Sequence, residues 1–182
     1  MRAEDFDLLF WTGPYPKEHI EAIAELHNVI NHQPRGTLEV KDIYFTPDHV
    51  RAIEHQAFAN GSERWSLYAR EKATGKLAGF TQVYWHPNRP TLLQQSFTGV
   101  FPEYRNRGLG RWLKIAMLEK VMSQKPHIRF VRTDNANSNA AILRINTLLG
   151  FKHYSSSTTW QVELSTVTEY LNRIPEITLR AS

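Results

Sequence analysis

From Phe6 to Trp11 the chain is almost continuously apolar, enough for a first strand, and Gly13-Pro14-Tyr15-Pro16 punctuates its end. Ile20, Ile23, Ala24, His27 and Ile30 then recur on one helical face, which predicts a first helix. A histidine at position 27, on that apolar stripe, is expected to be a satisfied core residue rather than a ligand or base. The stretch from Asn31 to Phe45 contains Pro34 and Gly36 and has no helical period, so it reads as a loop. Thr46-Pro47 joins a capping hydroxyl to a proline at the first helical position. It opens a second helix with Val50, Ile53, Ala57 and Phe58 as its buried stripe, ended by Asn60-Gly61.

Two strands follow, Trp65 to Arg70 and Leu77 to Trp85, and Thr74-Gly75 makes them a hairpin. Pro87-Asn88-Arg89-Pro90 turns the chain into a further strand from Leu92 to Val100. Beyond it Leu109, Trp112, Leu113, Ala116, Met117 and Val121 form the buried face of a helix. His127 to Thr133 reads as a strand, and Asn139 to Leu149 as a helix that Gly150 caps in the left-handed conformation. Phe151 to Leu164 is predicted as a last strand region, and Thr166 to Leu171 as a short helical tail. This order predicts an α/β fold, a mixed sheet packed between helices. With no internal repeat and no low-complexity linker, residues 1–182 read as a single domain, with a core over about 6–163 and a tail over 165–182.

A chain of 182 residues can bury a real core, and five Trp, nine Phe and seven Tyr supply one. The absence of cysteine excludes a disulfide framework, a cysteine nucleophile and a thiolate metal site. No His, Asp or Glu cluster has metal-ligand spacing, so no metal is expected. The first seven residues carry three acids where a secretory signal would be apolar, and no apolar stretch reaches the length of a membrane span. A soluble, cytoplasmic protein without a membrane partner is expected. A net charge of +4 and a pI near 9.4 fit a nucleic-acid partner in principle. Here much of the excess lies in the glycine loop described next and at Arg129 and Arg132, rather than in a long basic stripe, so no nucleic-acid partner is expected.

Between the strand ending at Val100 and the helix after it lies Arg105-Asn106-Arg107-Gly108-Leu109-Gly110-Arg111. The glycines permit a tight turn that aims successive N–H groups, and the positive end of the helix dipole, at one place. Four basic side chains lie between Arg105 and Lys114, with no acid before Glu119, and add charge to those donors. A pyrophosphate is the natural occupant of such a cradle. An ordinary strand-to-helix connection with a solvated basic surface is the plainer alternative. A dinucleotide fingerprint would need a third glycine at position 113, which is Leu, and a P-loop would need Lys-Ser/Thr after Gly110, which is followed by Arg111-Trp112.

The run Val100-Phe101-Pro102-Glu103-Tyr104-Arg105-Asn106-Arg107-Gly108-Leu109-Gly110 closely resembles the acetyl-coenzyme A signature of the GNAT N-acetyltransferase superfamily, Arg/Gln-x-x-Gly-x-Gly/Ala. Further on, Asn139-Ala140-Ala141-Ile142-Leu143-Arg144-Ile145-Asn146-Thr147-Leu148-Leu149-Gly150-Phe151 is similar to the second signature, a helix closing with Leu-Gly-Phe. The resemblance covers residues from about 6 to 163. It implies a GNAT-like, splayed central sheet, and acetyl-coenzyme A or coenzyme A as co-substrate. It also implies direct attack of an amine, from a small-molecule acceptor, on the thioester. The cofactor contacts it implies are Thr98, Gly99 and Val100 through their backbone, the loop Arg105, Asn106, Arg107, Gly108, Leu109, Gly110 and Arg111, and Asn139.

The catalytic residues are where the chain departs from the family pattern. Many relatives carry a tyrosine acid at the position of Asn146, and an amide cannot be a general acid. Asn146 shares a helical face with Asn139, two turns away, and is a candidate to hydrogen-bond toward the sulfur or to support the loop. Tyr154 is the candidate phenol, with strand packing as its alternative. For the base, the sequence offers Glu39, Asp42 or a water chain. The expected activity is therefore N-acetyl transfer, the alternative being a coenzyme A-binding module with little transfer, as in one half of a tandem or dimeric assembly. A homodimer or partner domain packed near Thr158 to Leu164, with Trp160 in contact, is a further expectation, because the last strand leaves a sheet edge open.

Overall fold

The computed structural model describes residues 3–32 and 41–173. Glu39, Pro34 and Gly36 lie outside the described residues. The chain divides into two compact units, Met1–Phe151 and Lys152–Ser182.

The first unit is built on a five-stranded sheet in the order β1 (Phe6–Thr12), β2 (Glu63–Glu71), β3 (Leu77–Trp85), β4 (Leu92–Val100), β5 (Phe130–Thr133). The first four run antiparallel, and β5 lies parallel to β4. The sheet is mixed, as the element order predicts. Strand alternation divides its side chains between two cores. On one face Trp65, Leu67, Val83 and Leu93 meet Leu109, Leu113, Met117 and Val121 of α3 (Leu109–Gln124). On the other, Tyr68 and Phe80 meet Ile23 and Leu26 of α1 (Ile20–His27) and Val50 of α2 (Pro47–Ala59). Each such buried side chain stabilises the fold by roughly 1.5–3 kcal/mol relative to exposure. The remaining helix of this unit, α4 (Ala140–Leu148), ends at Gly150, whose φ of 84° is the left-handed turn expected of it.

His27 is the core histidine the helical stripe predicts: it is buried, with Nε2 2.9 Å from the Tyr68 hydroxyl. Burial, and the Arg64 charge nearby, lower its pKa to about 3. Thr46 caps α2 by accepting from His49 N at 3.2 Å, with Pro47 in the first turn.

Three expectations need correction. The first helix does not run regularly to Ile30; after His27 it tightens into a 3-10 turn over Asn28–His32. Asn28 and Asn31 turn their amides to the returning chain there, accepting from Phe45 N at 2.8 Å and Ile43 N at 3.1 Å. Such side-chain bonds compete with helical continuation. The fifth strand starts at Phe130, not His127, because Arg129 N and Phe130 N both turn to Thr91 O, at 2.9 and 3.1 Å. Lastly, residues 152–163 form neither strand nor helix. A strand is a property of a pair, and β propensity without a partner ladder does not make one. In this segment His153 Nε2 instead meets Ser156 Oγ at 2.9 Å. The second unit contains α5 (Leu164–Arg173), longer than the helical tail the pattern predicts.

Candidate functional site

β4 and β5 part company. Their parallel pairing ends at Gln95↔Thr133, whereas β3 follows β4 to Val100. Between Thr81↔Thr98 and Val83↔Gln95, β4 has one residue more than β3, a bulge that bends the strand. From residue 96 to 100 the far edge of β4 pairs with no strand among the described residues. Its backbone groups face a cleft of about 1030 Å³. Backbone N–H and C=O groups need partners, so this edge is a template for a ligand that carries amides.

Gly99 is called for in that edge by packing. A Cβ built there would lie 2.5 Å from Val29 Cγ1 and 2.7 Å from Phe80 Cε1. Close packing against Phe80 of β3 and Val29, which also lines the cleft, excludes a side chain.

At the end of β4 the chain turns into α3. Asn106 and Gly108 both take positive φ, 60° and 82°, and Gly108 caps the helix. A Cβ on Gly108 would meet nothing within 4 Å, so backbone conformation rather than space calls for glycine. The first helical bond, Trp112 N to Gly108 O, leaves the N–H groups of residues 109–111 without intrahelical partners at the cleft mouth. Arg105 Nε donates to Val100 O at 3.0 Å, which ties the loop to the strand.

Of the residues the sequence assigns to a cofactor, 98–100, 105–106, 108–111 and Asn139 line this cleft. Arg107 is exposed and is not part of the lining. Asn139 is both wall and cap: it precedes α4 and its Oδ1 accepts from Ile142 N at 3.4 Å. Asn146 is buried, 6% exposed, with both ends of its amide engaged. It accepts from Lys114 Nζ at 2.7 Å and donates from Nδ2 to Asn135 Oδ1 at 2.7 Å. Tyr154 belongs to the second unit and is 78% exposed. Asp42 is exposed in the segment before α2.

Two titratable residues of the cleft were not singled out from the sequence. Lys114, counted there among the charges of the anion loop, is 1% exposed, and burial lowers its pKa to about 8. The signal was present, since Lys114, Met117 and Val121 stand at i, i+3 and i+7 on one face of α3. Asp134 follows the last residue of β5, lines the cleft, and accepts from Gln94 Nε2 at 3.0 Å. Its position beyond the carboxyl end of a parallel strand was the clue. Gln95, also in the lining, keeps its Oε1 buried without a partner while its Nε2 donates to Thr81 Oγ1 at 3.1 Å.

Among the described residues no group of three His, Cys, Asp or Glu is placed to hold a metal, and no helix is long and apolar enough to cross a membrane.

The profile of the Acetyltransferase (GNAT) family matches residues 23–151. No curated protein matches the sequence. Among solved structures, a tandem GNAT protein from the clavulanic acid biosynthesis pathway is 30% identical, with a TM-score of 0.69 over 82% of this chain and 43% of its own. The chain thus spans less than half the length of that protein. An N-acetyltransferase from Staphylococcus aureus Mu50 superposes with a TM-score of 0.60 at 17% identity, over 82% of this chain and 86% of its own. The aminoglycoside N-acetyltransferase AAC(6')-Iy, in complex with coenzyme A, gives 0.58 at 15% identity, over 86% and 95%. At such identities the last two share the fold. Because the profile spans the cleft and both sequence motifs, the chain belongs to the acetyltransferase (GNAT) family.

Proposed function

We propose that this domain binds acetyl-coenzyme A in the cleft and transfers its acetyl group directly to a primary amine of a small molecule. The observation that carries the reading is the continuity of the open β4 edge with the glycine cradle. One supplies backbone partners for an arm rich in amides, and the other supplies N–H groups and arginines for a diphosphate. An elongated ligand with those two parts in sequence fits both. In this reading Thr98, Gly99 and Val100 hold the arm through their backbone, residues 105–111 hold the diphosphate, and Asn139 contacts the arm from α4.

Much of the rate comes from holding donor and acceptor together. A backbone N–H at the β4 bulge stabilises the oxyanion of the tetrahedral intermediate. Asp134, oriented by Gln94, takes the proton of the acceptor ammonium directly or through water. Asn146 positions the groups on either side of its amide. The aminoglycoside N-acetyltransferase that shares the fold supports a small-molecule amine as acceptor.

A second reading is a coenzyme A-holding module within a larger assembly. It is favoured by the likeness to a tandem protein of which this chain spans 43%. Calorimetric titration with coenzyme A, followed by incubation with acetyl-coenzyme A and a panel of amines with free thiol as readout, decides between the two. Binding together with thiol release supports transfer, and binding without release from any amine supports the module. Absence of binding removes both.

A further inference from the structure

We propose that Lys114 is the acid of the transfer reaction, delivering a proton from Nζ to the departing sulfur of the donor thioester. This rests on the acetyl-coenzyme A reading above.

The first observation is a buried cation with no counter-ion among the described residues. Lys114 is almost fully enclosed, and its Nζ donates to a neutral acceptor, the Asn146 amide. The Phe151 ring centroid is 5.1 Å away. Among the described residues no carboxylate forms an ion pair with it, and burial alone sets the direction of its pKa shift. A charge in this state is expensive, and a methionine or leucine would pack the same stripe at no such penalty. Buried titratable groups that return no stability concentrate at functional sites.

The second observation is where the ammonium sits. Lys114 lines the same cleft as the open strand edge and the anion cradle. Its hydrogen-bond chain runs through Asn146 to Asn135, two residues past Thr133, and Thr133 pairs with Gln95 where β4 and β5 separate. That is the apex of the notch. From Val100, beside the cradle, to Gln95 the strand extends about 16 Å. A ligand with its diphosphate at the cradle and its arm along β4 therefore brings its far, acyl-bearing end to the apex. Asn146 and Asn135 hold the lysine chain there, and neither can itself give up a proton to a thiolate.

The chemistry balances. The neutral acceptor nitrogen uses its lone pair to form the C–N bond, the C–S bond breaks with its electron pair left on sulfur, the Nζ proton moves to that sulfur, and the proton that nitrogen sheds on becoming an amide passes to Asp134 or water. Lys114 is left neutral and recovers a proton from water. Its lowered pKa, about 8, lies close to that of an ordinary thiol, so the transfer is nearly matched in free energy and the residue is mostly charged at neutral pH. The other charged or titratable groups lining the cleft are Arg105, Arg111, Arg144, Asp134, His32, Tyr84 and Tyr104.

The test reads the thiol of bound coenzyme A rather than the acetylated product. Thiolate absorbance is titrated against pH for coenzyme A bound to wild type, Lys114→Met and Lys114→Gln, each first checked for a cooperative melt. The apolar replacement is of similar length and removes a buried charge, a change such sites commonly tolerate. The expected result is a bound thiol that ionises at lower pH in wild type than in either variant, with coenzyme A affinity changed less than about threefold. Steady-state turnover is expected to fall about a hundredfold or more, the usual worth of an acid, with the decline above pH 8 abolished. Superimposable thiol titrations with coenzyme A bound to all three proteins overturn the proposal. So does a fall in turnover for Tyr154→Phe with none for Lys114→Met. A wild type that binds no coenzyme A refutes the functional reading instead, which keeps the two failures distinct.

Discussion

Glu54 of α2 and Arg64 of β2 form an ion pair with almost no solvent access, Nη2 to Oε1 at 2.7 Å and side chains 5% and 2% exposed. Glu54 also receives Tyr15 N at 2.7 Å and Arg51 Nη1 at 2.7 Å, and Arg64 lies over the Tyr15 ring at 3.6 Å. The pair joins α2, β2 and the turn after β1. Removing one partner leaves the other charged and buried. Glu54→Ala is expected to cost about 3–5 kcal/mol, read as a lowered urea midpoint. A loss under 1 kcal/mol would show that the arginine finds water or another partner.

Gly99 and Gly108 separate packing from conformation. Gly99→Ala drives a methyl into Val29 and Phe80 and is expected to destabilise the fold by about 1–3 kcal/mol. An unchanged melting temperature would mean that the sheet shifts to make room.

At Gly108 a Cβ meets nothing within 4 Å, but Gly108→Val forces a β-branched residue to φ 82°, at about 1–2 kcal/mol of strain. If the loop relaxes out of the cradle, coenzyme A binding is expected to weaken about tenfold or more. Arg107→Ala, which removes an exposed charge, is expected to weaken it only a few-fold, less so in high salt. Calorimetric titration of both variants with unchanged affinity would contradict the cradle assignment.

His27 makes stability depend on pH with a definite sign. It is neutral in the fold down to about pH 3, whereas the unfolded chain binds its proton near 6.5. The unfolded state therefore holds more protons between those values, and stability rises with pH across the window. The contribution is complete above about 6.5 and is lost as pH falls toward 3. Between pH 7 and 5 the wild type is expected to lose about 2 kcal/mol more than His27→Phe. Parallel curves from urea unfolding at the two pH values would assign the acid sensitivity to other groups.

The second unit carries Trp160 at 91% exposure, with Val162 at 62% and Leu164 at 81%, three large apolar side chains exposed within five residues. Self-association through this segment is expected to raise the weight-average mass in light scattering above 21.1 kDa as concentration increases, and Trp160→Ser to reduce that rise. A constant 21.1 kDa particle would argue for a monomer.

What the sequence determined by itself was local. Thr46-Pro47, Thr74-Gly75 and Gly150 act through the chain beside them, and all three stand where the pattern put them. The 3.6-residue apolar period of α3 likewise carried its burial, because such a repeat has one geometric solution, whereas β2 and β3 were legible as strand runs and only the fold buried both of their faces. The glycine loop was legible for the same reason: its donors come from consecutive residues. What only the tertiary structure decided involves residues far apart in the chain. Whether the stretch after Phe151 becomes a strand depends on a partner edge, and the burial of Gly99's face depends on Val29 and Phe80. Lys114 looked like one more loop cation until the fold enclosed it against Asn146, 32 positions away. Desolvation is a property of the surroundings, and a charged side chain does not carry them in its own sequence.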